Sequence, residues 1–199
     1  SCTRYRKKPS YSVGNSRRII NFTKQPLPMK SSEKTSFIRY PFSDSDLKGA
    51  LGGFATGITI VTAKNNKNQN IGITVNSFSS VSLDPPLVLW SIAKSAKCFH
   101  DFFCAEYYAI HILGEDQKFL SDQFASKDAD KFYGLACAEG IAGIPLLPSY
   151  NVCFQCKFEH RYEGGDHIII VGRIHALSNR SETPLLYLRG TYGSFVSDA

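Results

Sequence analysis

Between Ile71 and Ile92 the chain reads IGITVNSFSSVSLDPPLVLWSI. Ile71, Ile73 and Val75 alternate with Gly72, Thr74 and Asn76, the period-two pattern of a half-buried strand. Asn76, Ser77, Ser79, Ser80 and Ser82 then form a neutral polar stretch that reads as a turn. Asp84-Pro85-Pro86 breaks any ladder, because proline lacks an N–H and biases its predecessor to extended backbone. Leu87 to Ile92 is an almost unbroken apolar run, as expected of a strand buried on both faces. The pattern therefore predicts one uncharged ledge of amides and hydroxyls held between two buried strands. Such a ledge suits a flat, neutral heterocycle edged with N–H and C=O groups. It is equally what an ordinary strand-to-loop turn looks like.

The remaining pattern is one of hairpins. Ser43-Asp44-Ser45-Asp46 predicts a capped helix start, running to about Phe54 with Gly52-Gly53 inside it. Ile58 to Ala63 is a β-branched strand. The polar run Asn65–Asn70 turns it into the Ile71 strand. Ser95 is placed to cap a short helix reaching Cys104, and Tyr107–Leu113 reads as a strand. Gly114-Glu115-Asp116 predicts a helix to about Phe124, and Asp128–Tyr133 a second short one. Ile144–Tyr150 is loop. Val152–Tyr162 and His167–Leu177 flank Gly164-Gly165-Asp166 as a second hairpin. About six strands in hairpins, without strand–helix alternation, predict an antiparallel barrel with short helical insertions. GGFATG precedes the first strand and has the wrong spacing for a dinucleotide fingerprint, which excludes a Rossmann reading.

Composition changes the picture at one end only. The first 36 residues hold nine Lys and Arg against one acid, leaving 14 basic and 16 acidic residues for the rest. Residues 1–36 thus form a basic extension expected to be disordered, and residues 37–199 the folded domain. That extension is compatible with a native arm, a transit-like segment, or sequence upstream of a start such as Met29. The nearly balanced domain excludes a basic nucleic-acid face, and no apolar run is long enough to span a bilayer. No secretory apolar segment is present, and a cytoplasmic setting is expected. The six cysteines are irregularly spaced. Cys153 and Cys156 sit in a strand where positions three apart face opposite ways, so neither a disulfide scaffold nor a zinc site is expected.

Candidate chemistry is sparse. Ser95 and Lys97 read either as a phosphate seat or as an ordinary helix cap with solvated lysines. His167 opens a strand after a tight turn, where it can meet a ligand or order the turn through Asp166. Tyr192, between Gly190 and Gly193, reads as a stacking or lid residue or as C-terminal packing. No Ser-His-Asp order and no HExxH motif occurs.

GITVNSFSSVSLDPPLVLWSI, preceded by LGGFATGITIVTA and followed later by EGGDHIIIVGRI, resembles the flavin reductase-like FMN-binding family. The resemblance spans roughly Phe42 to Phe195. It implies a mainly β fold, the FMN-binding split β-barrel (a Greek-key antiparallel barrel), in a homodimer. It implies an NAD(P)H-dependent oxidoreductase that passes hydride from NADH or NADPH to FMN or FAD, with a monooxygenase as a possible acceptor of reduced flavin. A carrier that binds FMN without turnover is the alternative on the same barrel. A structural or nucleic-acid-binding protein using the basic arm is a third. By resemblance, Thr74, Val75, Asn76 and Ser77 line the flavin ring edge, with Ser79 and Ser80 close by. Ser91, Ser95, Lys97 and Cys98 surround the phosphate and ribityl chain. Many relatives carry a hydroxyl where Cys98 stands, and a thiol is a weaker donor. His167, in the GDH block, lies by resemblance near flavin and nicotinamide and is the candidate catalytic residue. Tyr192 covers the cofactor. No metal is implied.

Overall fold

A computed structural model of the chain describes residues 37–127 and 130–196. The chain divides into two units, Ser1–Pro41 and Phe42–Ala199. Of the first, residues 37–41 are described, and all five are exposed. The expected disorder of residues 1–36 lies outside the described residues.

The second unit runs in order α1 (Asp44–Leu51), β1 (Thr56–Gly57), β2 (Thr59–Lys64), β3 (Asn70–Val75), β4 (Ser79–Leu83) and β5 (Pro86–Ala93). It continues with α2 (Phe99–Cys104), β6 (Tyr107–Ile112), α3 (Lys118–Ala125), β7 (Ala138–Glu139) and β8 (Pro145–Leu146). It ends with β9 (Val152–Gly164), β10 (His167–Asn179), β11 (Leu186–Leu188) and β12 (Thr191–Gly193). Seven strands form one antiparallel sheet in the order β3-β2-β6-β9-β10-β5-β4. The sheet curls because β9 and β10 are long and carry register shifts at Val171/Gly172 and Ile174/Ala176, where a bulge increases twist. The linker between β3 and β4 is tied to β5 through Ser77, whose hydroxyl accepts the Ser91 N–H at 2.9 Å and donates to the Ser91 carbonyl at 3.1 Å. The result is the antiparallel barrel expected from the hairpin pattern, in the split form that the resemblance implies.

The core explains the alternation. Trp90, Ile92, Tyr108, Ile110 and Ile170 fill the barrel, with Ile71, Ile73 and Val75 of β3 packed against them. Trp90 meets Phe102 edge-on at 5.3 Å and Tyr108 at 5.8 Å. A second cluster, including Ile60, Leu120, Phe124 and Leu185, lies under α3.

Several expectations are corrected. The polar stretch after Val75 is not all turn: Ser79–Leu83 forms β4, because β5 offers it a pairing edge. β5 buries one face, not two; Val88, Trp90 and Ile92 point inward while Leu87, Leu89 and Ser91 are partly covered. The first helix stops at Leu51, leaving Gly52-Gly53 outside it. Ser95 caps nothing. Successive tight turns, Ala96 N–H to Ala93 carbonyl and Phe99 N–H to Ala96 carbonyl, delay α2 to Phe99, with Cys98 at its N-cap. The acids Glu115 and Asp116 precede α3, which starts at Lys118. Residues 131–134 make a turn rather than a helix, and Asp128 lies outside the described residues. Pro145–Leu146, read as loop, pairs with Ala138–Glu139.

Candidate functional site

The ledge strand β3 lies at an edge of the sheet and pairs only with β2, so its outer backbone is open. Beside it lies a cleft of about 620 Å³. Its far walls are the end of β5 with the Ser95–Cys98 turn, and Ala125 at the end of α3 with Ser126, Lys127, Asp130, Lys131 and Phe132 beyond it. Three lysines line it, Lys97, Lys127 and Lys131, against one acid, Asp130. The Lys131 Nζ donates to the Gly72 carbonyl on the open edge of β3 at 3.0 Å. The Lys97 Nζ reaches the Lys127 carbonyl at 3.2 Å. Partial burial lowers the Lys131 pKa from the usual lysine range, since an ammonium loses hydration there. Burial also raises the Cys98 thiol, which the Lys131 charge partly offsets. The thiol therefore stays protonated near neutrality and offers only a weak donor.

The floor of the cleft depends on a missing side chain. A Cβ on Gly72 would stand 2.4 Å from the Phe124 ring of α3. Glycine lets α3 settle on β3, where the Thr74 hydroxyl donates to the Ser121 carbonyl at 2.7 Å. Asn76 follows the last residue of β3. Asn76 opens not into this cleft but into a second, of about 650 Å³, lying between α1 and the β11–β12 turn.

The expected site residues thus separate. Thr74, Ser95, Lys97 and Cys98 converge in the first cleft. Val75 packs against the barrel interior, and its carbonyl accepts the Thr59 hydroxyl at 3.1 Å. Ser77 and Ser91 are bonded to each other. Ser79 and Ser80 are exposed on β4. His167 is the first residue of β10, opposite Ala93 of β5, with its side chain 44% exposed. Its Nδ1 lies 2.7 Å from Asp166 Oδ1, and this hydrogen bond holds the Asp166 carboxyl below its ordinary range. Tyr192 does not lie open over either cleft. Its hydroxyl donates to Asp122 Oδ1 at 3.1 Å, sits 2.9 Å from the Ser121 Oγ, and its ring lies under the Lys118 ammonium at 5.0 Å. Tyr192 locks the C-terminal hairpin onto α3.

Lys127 and Lys131 escaped the sequence reading. They were legible only as a basic pair in a loop, since Lys131 reaches Gly72 from 59 residues away. Cys153 and Cys156 belong to different core clusters, and burial pushes each thiol up to about 12, so neither is a thiolate.

A family model described as "Flavin reductase like domain" matches residues 51–195. The chain is 43% identical over 148 residues to the Agrobacterium fabrum "FMN reductase (NADH) SmoA", covering 74% of this chain and 84% of that one. It is 39% identical over 147 residues to the Acinetobacter baylyi "Flavin-dependent trigonelline monooxygenase, reductase component", covering 74% of this chain and 47% of that one. A Rhizobium meliloti relative at 41% identity is likewise spanned over about half its length, 49%. Among solved structures, the Streptomyces globisporus NADH:FAD oxidoreductase SgcE6, in complex with NAD and FAD fragments, superposes with a TM-score of 0.76 at 30% identity. That match covers 82% of this chain and 99% of the other.

Proposed function

The chain belongs to the flavin reductase-like family, and from that premise we propose that it is an NAD(P)H-dependent flavin reductase using FMN. The observation that carries this reading is the convergence of an open, uncharged strand edge with three lysines and the Ser95 hydroxyl in one cleft. Its size is that of small-molecule sites, about 300–1,000 Å³. The donor set fits a flavin mononucleotide. The β3 edge with Thr74 meets the ring, and Lys97, Lys127, Lys131 and Ser95 hold the phosphate as charge-assisted donors. Asn76, just beyond β3, opens into the second cleft and is not part of this seat.

When bound, the flavin supplies the two-electron acceptor for a hydride from the nicotinamide. The chain forms no covalent bond to either. Its task is distance and orientation, which are large terms in such a reaction. His167, held by Asp166, orients the nicotinamide at the barrel rim. The five described cysteines are free thiols, in keeping with a reducing cytoplasm. A homodimer accounts for the apolar surface on β4, where Leu83 is 96% exposed. Reduced flavin then passes to a partner monooxygenase, as in the reductase components this chain is similar to.

The test is spectroscopic. Purified protein with FMN, and separately with FAD, is mixed with NADH or NADPH under nitrogen. Bleaching of the flavin absorbance, with nicotinamide consumption that rises with added flavin, is expected. Tight flavin binding without bleaching would identify a carrier instead.

A further inference from the structure

The second cleft, between α1 and the β11–β12 turn, has no part in the flavin seat described above. We propose that it holds the pyrophosphate of the nicotinamide dinucleotide, with Lys48 and Arg189 as the two cations that grip it. This rests on the reductase reading and names the substrate group that the cleft recognises.

The backbone brings the two cations together. The Gly52 N–H donates to the Lys48 carbonyl at 2.9 Å, and the Gly52 carbonyl accepts the Arg189 N–H at 3.0 Å. Both side chains line the cleft, and no carboxylate does. Among the described residues neither has an ion-pair partner. Two cations converging on about 650 Å³ with nothing to neutralise them suit a dianionic ligand.

Arg189 also sits where stability alone would not put it. Arg189 and Gly190 are the two residues of the β11–β12 hairpin turn, with φ of 51° and 81°. Two successive positive φ values make the primed turn that favours Asn-Gly or Gly-Gly. An arginine there carries backbone strain that an asparagine would relieve.

The walls supply the rest of a nucleotide site. Phe54 and Tyr187 offer aromatic surface beside the cations. The Thr56 Oγ1, also in the lining, is buried without a hydrogen-bond partner. Asn76 opens into this cleft while Thr74, two residues earlier, opens into the flavin cleft. A ligand held by Lys48 and Arg189 therefore has its reactive end delivered along β3 to the flavin ring.

The experiment uses the full chain with FMN and the variants Lys48→Met, Arg189→Asn and their double. The kcat/KM for NADH (or NADPH, whichever the wild type prefers) is divided by that for 1-benzyl-1,4-dihydronicotinamide, which carries no phosphate. The double variant is expected to lower this ratio about 10- to 100-fold, through the KM for the dinucleotide. Calorimetric binding of NAD⁺ falls in parallel, and the FMN Kd stays within about twofold. Arg189→Asn is expected to hold or raise the melting temperature while weakening the dinucleotide, a pairing of signs that a merely structural arginine would not give. An unchanged ratio in the double variant overturns the proposal. So does a loss of FAD affinity with dinucleotide binding intact, which would give the cleft to the adenine half of FAD. If wild type oxidises neither nicotinamide, the reductase reading falls by itself, and NAD⁺ calorimetry on the two proteins then decides the cleft.

Discussion

His111 provides the sharpest quantitative test of the fold. It lies on β6, fully buried. Its Nδ1 is 3.2 Å from the Ile60 carbonyl, and its Nε2 accepts the Leu147 N–H at 3.1 Å. Those partners require the neutral ring with its proton on Nδ1. Burial lowers the pKa from 6.5 to about 4, because the imidazolium would lose its hydration and Nε2 its acceptor role. The unfolded chain, titrating near 6.5, therefore binds the proton first as pH falls. Stability rises with pH between the two values: it is complete above about 6.5 and declines as pH drops towards 4. With those two pKa values, moving from pH 7.5 to 5.5 costs about 1 kcal/mol, and reaching pH 4 costs about 3 kcal/mol. Asp122, Glu159 and Asp166 are held below their ordinary carboxyl values. Their contributions are lost as pH falls through the carboxyl range, so pH 5.5 isolates the histidine. Urea unfolding without flavin, followed by fluorescence of the single, buried Trp90, measures the difference. His111→Gln is expected to be less stable at pH 7.5 by about 1–3 kcal/mol, through imperfectly paired groups at Ile60 and Leu147. Its stability should be nearly level from pH 7.5 to 5.5. Equal slopes in wild type and variant would refute the reasoning.

Other outcomes follow from the site. Lys131→Met should weaken FMN at least about tenfold but leave riboflavin, which lacks the phosphate, nearly unaffected; fluorescence titration separates the two. Ser77→Ala removes both bonds from the β3–β4 linker to β5 and should cost about 1–3 kcal/mol in denaturant unfolding. Tyr192→Phe keeps an aromatic ring and loses the bonds to Ser121 and Asp122, so stability should fall by about 1 kcal/mol while flavin affinity holds. The reverse pattern would restore Tyr192 as a cofactor contact. His167→Ala should slow flavin reduction more than it weakens flavin binding, and an unchanged stopped-flow rate would exclude its role.

Much of the barrel was legible because its determinants are local. The alternation of Ile71, Ile73 and Val75, the Asn65–Asn70 turn and the Gly164-Gly165-Asp166 turn each predict their element within a few residues. β4 was not legible. Its serines are turn-like in isolation, and only the neighbouring β5 makes Ser79–Leu83 a strand. Ser95 failed for a similar reason. A hydroxyl ahead of an aromatic run reads as a cap, but the turns at Ala96 and Phe99 consume the backbone that a cap would serve.

The site divides along the same line. Residue type told which groups could bind a neutral ring and a phosphate; partners distant in sequence decide which remain available. The Thr74 and Ser77 hydroxyls look alike in TVNS, yet one is spent on α3 and the other on β5. Tyr192, between two glycines, looks free and is bonded twice. Asn76 and Ser95 have no side-chain hydrogen bond among the described residues, and each faces a cleft. A buried or bonded polar group has already exchanged its water for protein, so a ligand gains little from it. An exposed one in a concave, uncharged or cationic wall still has that exchange to make. By this criterion the ring-edge set contracts from Thr74–Ser77 to the open β3 edge, and Asn76 passes to the second cleft. The anion-holding set expands to Lys127 and Lys131 in one cleft and to Lys48 and Arg189 in the other.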